Sequence, residues 1–163
     1  MELGQRLHTK MTVPPSVPLL TDDDAKGHAQ VTSLVMDLQI REYIEIATDY
    51  TQDETWRQFL LATFQTKLDS FPDVFYLPHP PLSSVTSVAY TDVNGDAQTL
   101  TAGTDYQVDV HSEPGIIMPA RGATWPTVLD GTLNAVTVTY IAGYGTASNV
   151  PRQAKQAVRF LVA

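Results

Sequence analysis

Four histidines, His8, His28, His79 and His111, are the first side chains that could hold a metal or move a proton near neutral pH. They fall in four separate segments, and none has a second His or a carboxylate at the spacing that puts two ligands on one helix face. An arm residue, a helix end, a turn and a strand edge are the roles left to them. Asp92-Val93-Asn94-Gly95-Asp96 has the outline of a calcium loop, but its Gly comes too early and Gly103 stands where a bidentate Glu belongs. Asp22, Asp23 and Asp24 follow Thr21, and three consecutive carboxylates point different ways around a helix start, which suits capping. Ser83, Ser84 and Ser87 lack a Gly-x-Ser-x-Gly elbow, and Gly103, Gly122 and Gly143-Tyr144-Gly145 fit neither phosphate-loop pattern. With no cysteine, thiol nucleophiles, Cys-ligated zinc and disulfides are excluded. The expectation is a protein without catalytic, cofactor-binding or metal residues, and so not an enzyme.

Charge at helical spacing is the pattern that remains. Glu42, Glu45 and Asp49 fall at i, i+3 and i+7 in one predicted helix, and Arg152, Lys155 and Arg159 repeat that spacing in another. Two readings fit. The stripes are two solvated faces, or they meet, within one chain or between neighbouring subunits, and set register as an interface.

The elements that position these stripes follow from periodicity and punctuation. Residues 1–20 contain Pro14, Pro15 and Pro18 with little periodicity, which predicts an extended, mobile arm. Thr21 caps a short helix of about two turns ending near His28. A longer helix over residues 33–50 carries Leu34, Val35, Leu38, Tyr43, Ile44 and Ala47 as its apolar face. Residues 53–60 are ambiguous, and near Leu61 the period changes from 3.6 to 2, so that Ala62, Phe64, Thr66 and Leu68 alternate as a strand.

Val74 to Leu77 form a further strand, which Pro78, Pro80 and Pro81 must end because proline cannot donate to the ladder. Leu82, Val85, Val88 and Tyr90 lead into Asn94-Gly95, read as a two-residue hairpin turn with two positive φ angles. Short strands follow at residues 97–100, 106–110 and 116–118, then a clear one through Val136, Val138 and Tyr140 that Ala142-Gly143-Tyr144-Gly145 breaks. Val150-Pro151 opens a closing helix with Ala154, Ala157, Val158 and Leu161 inward, and no Gly cap follows Leu161, so a trimmed end or a partner would complete its last turn.

The predicted fold class is α+β: a helical domain of N-terminal helices plus a C-terminal helix, with an inserted, mainly antiparallel β domain. Its parts are an arm at 1–20, a helical part at 21–60, a β insertion at 61–145 and a returning helix at 150–163. At 163 residues the chain can bury roughly 70% of its unfolded surface without staples. No signal-peptide pattern opens it and no window approaches a membrane span, which predicts a soluble, unexported protein. Ten Lys plus Arg against eighteen Asp plus Glu give a net charge of -8, which argues against gripping nucleic acid. An acidic wall does let DNA slide past without sticking.

Residues 62–96, ATFQTKLDSFPDVFYLPHPPLSSVTSVAYTDVNGD, resemble the head-tail connector, or adaptor, proteins of tailed bacteriophages and gene transfer agents. In that family a strand ending in Phe-Pro precedes a Leu-Pro-x-Pro-Pro-Leu corner and a Ser-Val-x-x-Val strand. The later pieces match in order: Asp105-Tyr106-Gln107-Val108, Pro114-Gly115-Ile116-Ile117, Gly122-Ala123-Thr124-Trp125-Pro126, Ala135-Val136-Thr137-Val138 and Ala142-Gly143-Tyr144-Gly145, with Val150-Pro151 opening the last helix. The resemblance spans residues 14–163. Where members of the family often pass from the second helix through a short Gly-Arg turn into the strand, this chain has the longer Thr51 to Trp56 segment.

The resemblance implies a structural virion protein located in the phage neck and made in the host cytoplasm. It implies a ring of identical subunits, about twelve, below the portal protein, joined on the far side to a stopper or tail terminator, with a channel through which DNA passes unbound. Neither a cofactor nor a membrane is implied. The rival reading is a carbohydrate- or ligand-binding β module of a phage particle, built on Trp125, Tyr140 and Tyr144 near turns.

Overall fold

A computed structural model describes residues 7–24 and 37–162. Its elements run β1 (His8–Val13), α1 (Asp37–Thr55), β2 (Ala62–Leu68), β3 (Phe75–Leu77), β4 (Leu82–Thr91), β5 (Ala97–Leu100), β6 (Tyr106–Asp109), β7 (Gly115–Pro119), β8 (Val136–Ala142) and α2 (Arg152–Val162). Five strands form one antiparallel sheet in the order β1-β2-β8-β4-β5, and three form a second in the order β3-β7-β6. The fold is α+β.

Strict alternation makes β2 and β8 the centre of this structure. Each buries every second side chain, Ala62, Phe64, Thr66 and Leu68 from β2 and Val136, Val138, Tyr140 and Ala142 from β8. The two strands pair in unbroken register from Ala62 opposite Ala142 to Leu68 opposite Val136. A one-residue slip would turn all these groups to solvent, so the burial itself specifies the register. Phe75 and Leu77 of β3 and Ile117 of β7 close the core from the small sheet.

The proline corner between Leu77 and Leu82 carries the chain from the small sheet to the large one, so β3 and β4 are not partners. At Asn94-Gly95 only the glycine takes a positive φ, 89°. The Gly95 amide donates to the Asp92 carbonyl at 3.0 Å and the Asp92 amide to the Asp96 carbonyl at 2.9 Å, a three-residue loop closed by a left-handed glycine rather than a two-residue turn. The Asp92 carboxylate supports it by accepting the amides of Asn94 and Asp96 at 2.8 and 3.0 Å.

The predicted arm is corrected in two places. Residues 8–13 are β1, an edge strand on β2 whose Thr9 hydroxyl meets that of Thr66 at 2.7 Å, and Leu19 and Leu20 are buried among the helices. Few alternations mark so short an edge strand, because water covers most of its side chains. Thr21 caps as predicted: its hydroxyl accepts the Asp24 amide at 3.1 Å, and the Asp24 carboxylate reaches back to the Thr21 amide at 3.4 Å. The expected continuation to His28, and Leu34 and Val35 of the second helix, lie outside the described residues.

Helix α1 continues to Thr55 and stops where Trp56 turns left-handed, φ 57°. Gln52 holds the exit, its side-chain oxygen accepting the Phe59 amide at 2.9 Å. The linker then ties into the corner and the end of β8: Gln58 donates to Pro80, Gly143 to Pro81 and Tyr144 to Phe59, each at 2.9 Å.

The buried stripe of α1 is Ile40, Ile44 and Ala47, packed with Phe59, Leu60, Val150 and Val158. Leu38 and Tyr43, expected inward, are 79% and 51% exposed, and Leu161 of α2 is also exposed. Among the described residues, only one side of each helix finds a second layer. Val158 is the fully covered residue of α2, with Ala154 and Val162 beside it.

Candidate functional site

The two charged stripes lie on different surfaces. Glu42, Glu45 and Asp49 are exposed on α1. On α2, Arg152 is exposed, the Lys155 ammonium donates to the Ala147 carbonyl at 3.0 Å, and Arg159 stands 3.7 Å from the Asp24 carboxylate. Among the described residues no ion pair joins the stripes.

Part of the acidic stripe forms the wall of a groove of about 990 Å3 between α1 and the chain from Pro14 to Pro18. Glu45 and Asp49 line it together with Asp53, Met11, Pro14 and Val17 provide exposed apolar lining, and buried Leu60 and Phe64 lie beneath. Glu42 is not among its lining residues. The two arginines that also line the groove are engaged by other carboxylates. Arg41 donates through Nε and Nη2 to Asp22 at 2.8 and 2.6 Å. Arg57 binds Glu113 through Nη2 and the Tyr144 hydroxyl through Nη1, the latter at 2.7 Å.

The Arg57 clasp shifts both partners: the hydrogen bond to Arg57 lowers the Glu113 pKa, and the bond to Glu113 raises that of Arg57. His79 also lines the groove, in a left-handed conformation at φ 60°, stacked on Phe64 with ring centroids 4.8 Å apart. Burial lowers its pKa below 6.5, and the charge of Asp53 opposes that shift. The groove is therefore acidic, with a partly apolar lining and a neutral imidazole.

The sequence placed the acidic stripe but missed the groove. Asp53 stood in the segment whose period was ambiguous, and the opposite wall comes from residues read as a free arm. Pro14, Pro15 and Pro18 were the available signal, since consecutive stiff residues bridge two elements more readily than they fold back.

The three aromatics of the ligand-binding reading do not share a face. Tyr140 is fully buried, donates to the Pro78 carbonyl at 3.1 Å, and has its pKa pushed up to about 12 by burial. Trp125 stacks on Phe71 at 4.8 Å beside a hollow of about 950 Å3, and its buried indole N–H has no hydrogen-bond partner among the described residues. The Tyr144 hydroxyl is held by Arg57. Among the described residues no three His, Asp or Glu side chains converge as a metal would need, and no helix is long and apolar enough to cross a membrane.

This combination of a five-stranded antiparallel sheet, a small second sheet and flanking helices has counterparts among solved structures. No protein-family model matches the sequence, and no curated protein matches it. A chain in the virion of a native gene transfer agent (GTA) particle superposes with a TM-score of 0.77 at 21% identity, over 94% of this chain and 81% of that one. A chain from the neck of an empty GTA particle computed with C6 symmetry gives 0.74 at 22% identity, over 96% and 81%. A chain from the neck of a native GTA particle computed with C12 symmetry gives 0.65 at 22% identity, over 94% and 80%. At these identities the likeness is one of fold.

Proposed function

We propose that this protein is a non-enzymatic structural component of a phage or gene-transfer-agent neck, a head-tail connector acting by shape and assembly. The observation that carries this reading is the fold likeness over 94% of the chain to a GTA virion chain, with neck chains matching over similar lengths. Identical subunits, about twelve by analogy with the C12 neck, form a ring under the portal protein. A stopper or tail terminator binds below, and DNA passes through the channel. The protein is made in the host cytoplasm and resides in the virion.

A closing ring needs two unlike surfaces on every subunit, because its contacts are head-to-tail. Opposed charge supplies them here: Glu42, Glu45 and Asp49 of one subunit toward Arg152, Lys155 and Arg159 of the next. The net charge of -8 suits a channel wall that must not hold phosphates. The test is light scattering and particle imaging of the purified chain, with a labelled copy located in intact particles. Rings in solution and label confined to the neck are the expected result. A chain that stays monomeric and is absent from particles would overturn the reading.

A further inference from the structure

We propose that the groove between α1 and the proline segment is the socket for α2 of a second copy, whose Arg152, Lys155 and Arg159 lie along Glu45, Asp49 and Asp53. This rests on the ring reading and names the contact that closes it. Three carboxylates line the groove with no ion pair reaching them among the described residues, while the arginines beside them are held by Asp22 and Glu113. A segment entering the groove must therefore bring positive charge. It must also lie against Met11, Pro14 and Val17, the exposed apolar groups of the lining, which favours long aliphatic stems with charged tips over small cations.

The α2 ridge meets both needs. Its three cations span seven residue steps of helix, about 10.5 Å, and the three groove carboxylates span eight steps, about 12 Å, at the usual rise per residue. Among the described residues, none of the ridge cations lines the groove of its own molecule. Lys155 is directed to Ala147 and Arg159 to Asp24, the latter at a loose 3.7 Å, and Lys155 keeps further donors for another acceptor. Complementary surfaces that cannot meet on one chain generate contacts from copy to copy, closing into a ring when the rotation per step divides a full turn. Glu42 lies outside the socket in this arrangement, so the contact uses Asp53 in its place.

The experiment is a charge exchange in the full chain. Reversing the socket (Glu45→Lys, Asp49→Lys and Asp53→Lys) or the ridge (Arg152→Glu, Lys155→Glu and Arg159→Glu) abolishes rings at concentrations where the parent forms them. An equimolar mixture of the two variants restores rings, since each reversed surface then finds its complement, and the subunits alternate. Far-UV circular dichroism and melting establish that both variants fold.

A milder pair, Asp49→Asn with Asp53→Asn, raises the concentration needed for half-assembly several-fold without a change in melting. Rings that survive either reversal, or folded variants that stay apart when mixed, overturn the socket and leave the ring reading standing. A parent chain that never self-associates and is absent from necks overturns both.

Discussion

The sheet core and the helical core are covered to different degrees by the chain's own residues. Phe64, Val88, Val136, Val138 and Tyr140 sit between strands that supply neighbours on both sides, and none is more than 3% exposed. In the helical region Ile40, Ile44, Ala47 and Val158 are equally buried, yet Leu38, Tyr43, Ile46 and Tyr50 of the same α1 stand in solvent. The sheet core is a finished unit, whereas the helical layer has one satisfied face and one that the described residues leave open. Internal rigidity belongs to the first region and available surface to the second, a division suited to a subunit that assembles.

That contrast breaks or holds under substitution. Tyr140→Ala removes a large buried ring together with its hydrogen bond to Pro78, and the expected loss is about 4 kcal/mol in urea unfolding. Ile44→Ala, at the centre of the helical cluster, is expected to cost about 3 kcal/mol. A single transition in both variants would show the two regions unfolding together, while a separate early step in Ile44→Ala would show the helical layer leaving first.

Gly143→Ala tests the joint between them. Its backbone takes φ 127°, and an added Cβ would stand 2.5 Å from the Leu60 carbonyl oxygen, so about 2 kcal/mol is expected from strain and overlap. Arg57→Ala opens the clasp to Glu113 and Tyr144. Both ion-pair partners are more than a third exposed, so solvent screening holds the expected effect to about 0.5–1 kcal/mol. The Glu113 pKa is depressed in the fold, so this contribution is present above its ordinary value of 4.5 and is lost as pH falls through the lowered one. Removing Arg57 should flatten that acid limb in denaturation measured against pH.

The smallest effect is expected at His79. Its folded pKa lies below 6.5, so the fold favours the neutral ring and stability declines as pH drops from 6.5 through the lowered value. His79→Phe should weaken the decline between pH 7.5 and 5, and an unchanged profile would show that the ring is freely hydrated.

Local residues were enough to define the sheet region. A period of two in Ala62–Leu68 and Val136–Ala142, a proline stop after Leu77 and the start at Val150-Pro151 needed no knowledge of partners, because steric and hydrogen-bonding limits of the backbone act within a few residues. The α+β class and the absence of recognisable catalytic motifs were legible on the same ground. Which side of α1 would be buried was not, since Leu38 and Ile40 are equally apolar and only the position of α2 and Phe59 chose between them. Nor could spacing show that residues 8–13 join β2 or that Pro14 to Pro18 wall a groove along Glu45, Asp49 and Asp53. Those contacts join segments about 30 to 60 residues apart, and only tertiary packing fixes which of many equally polar faces comes to lie opposite another.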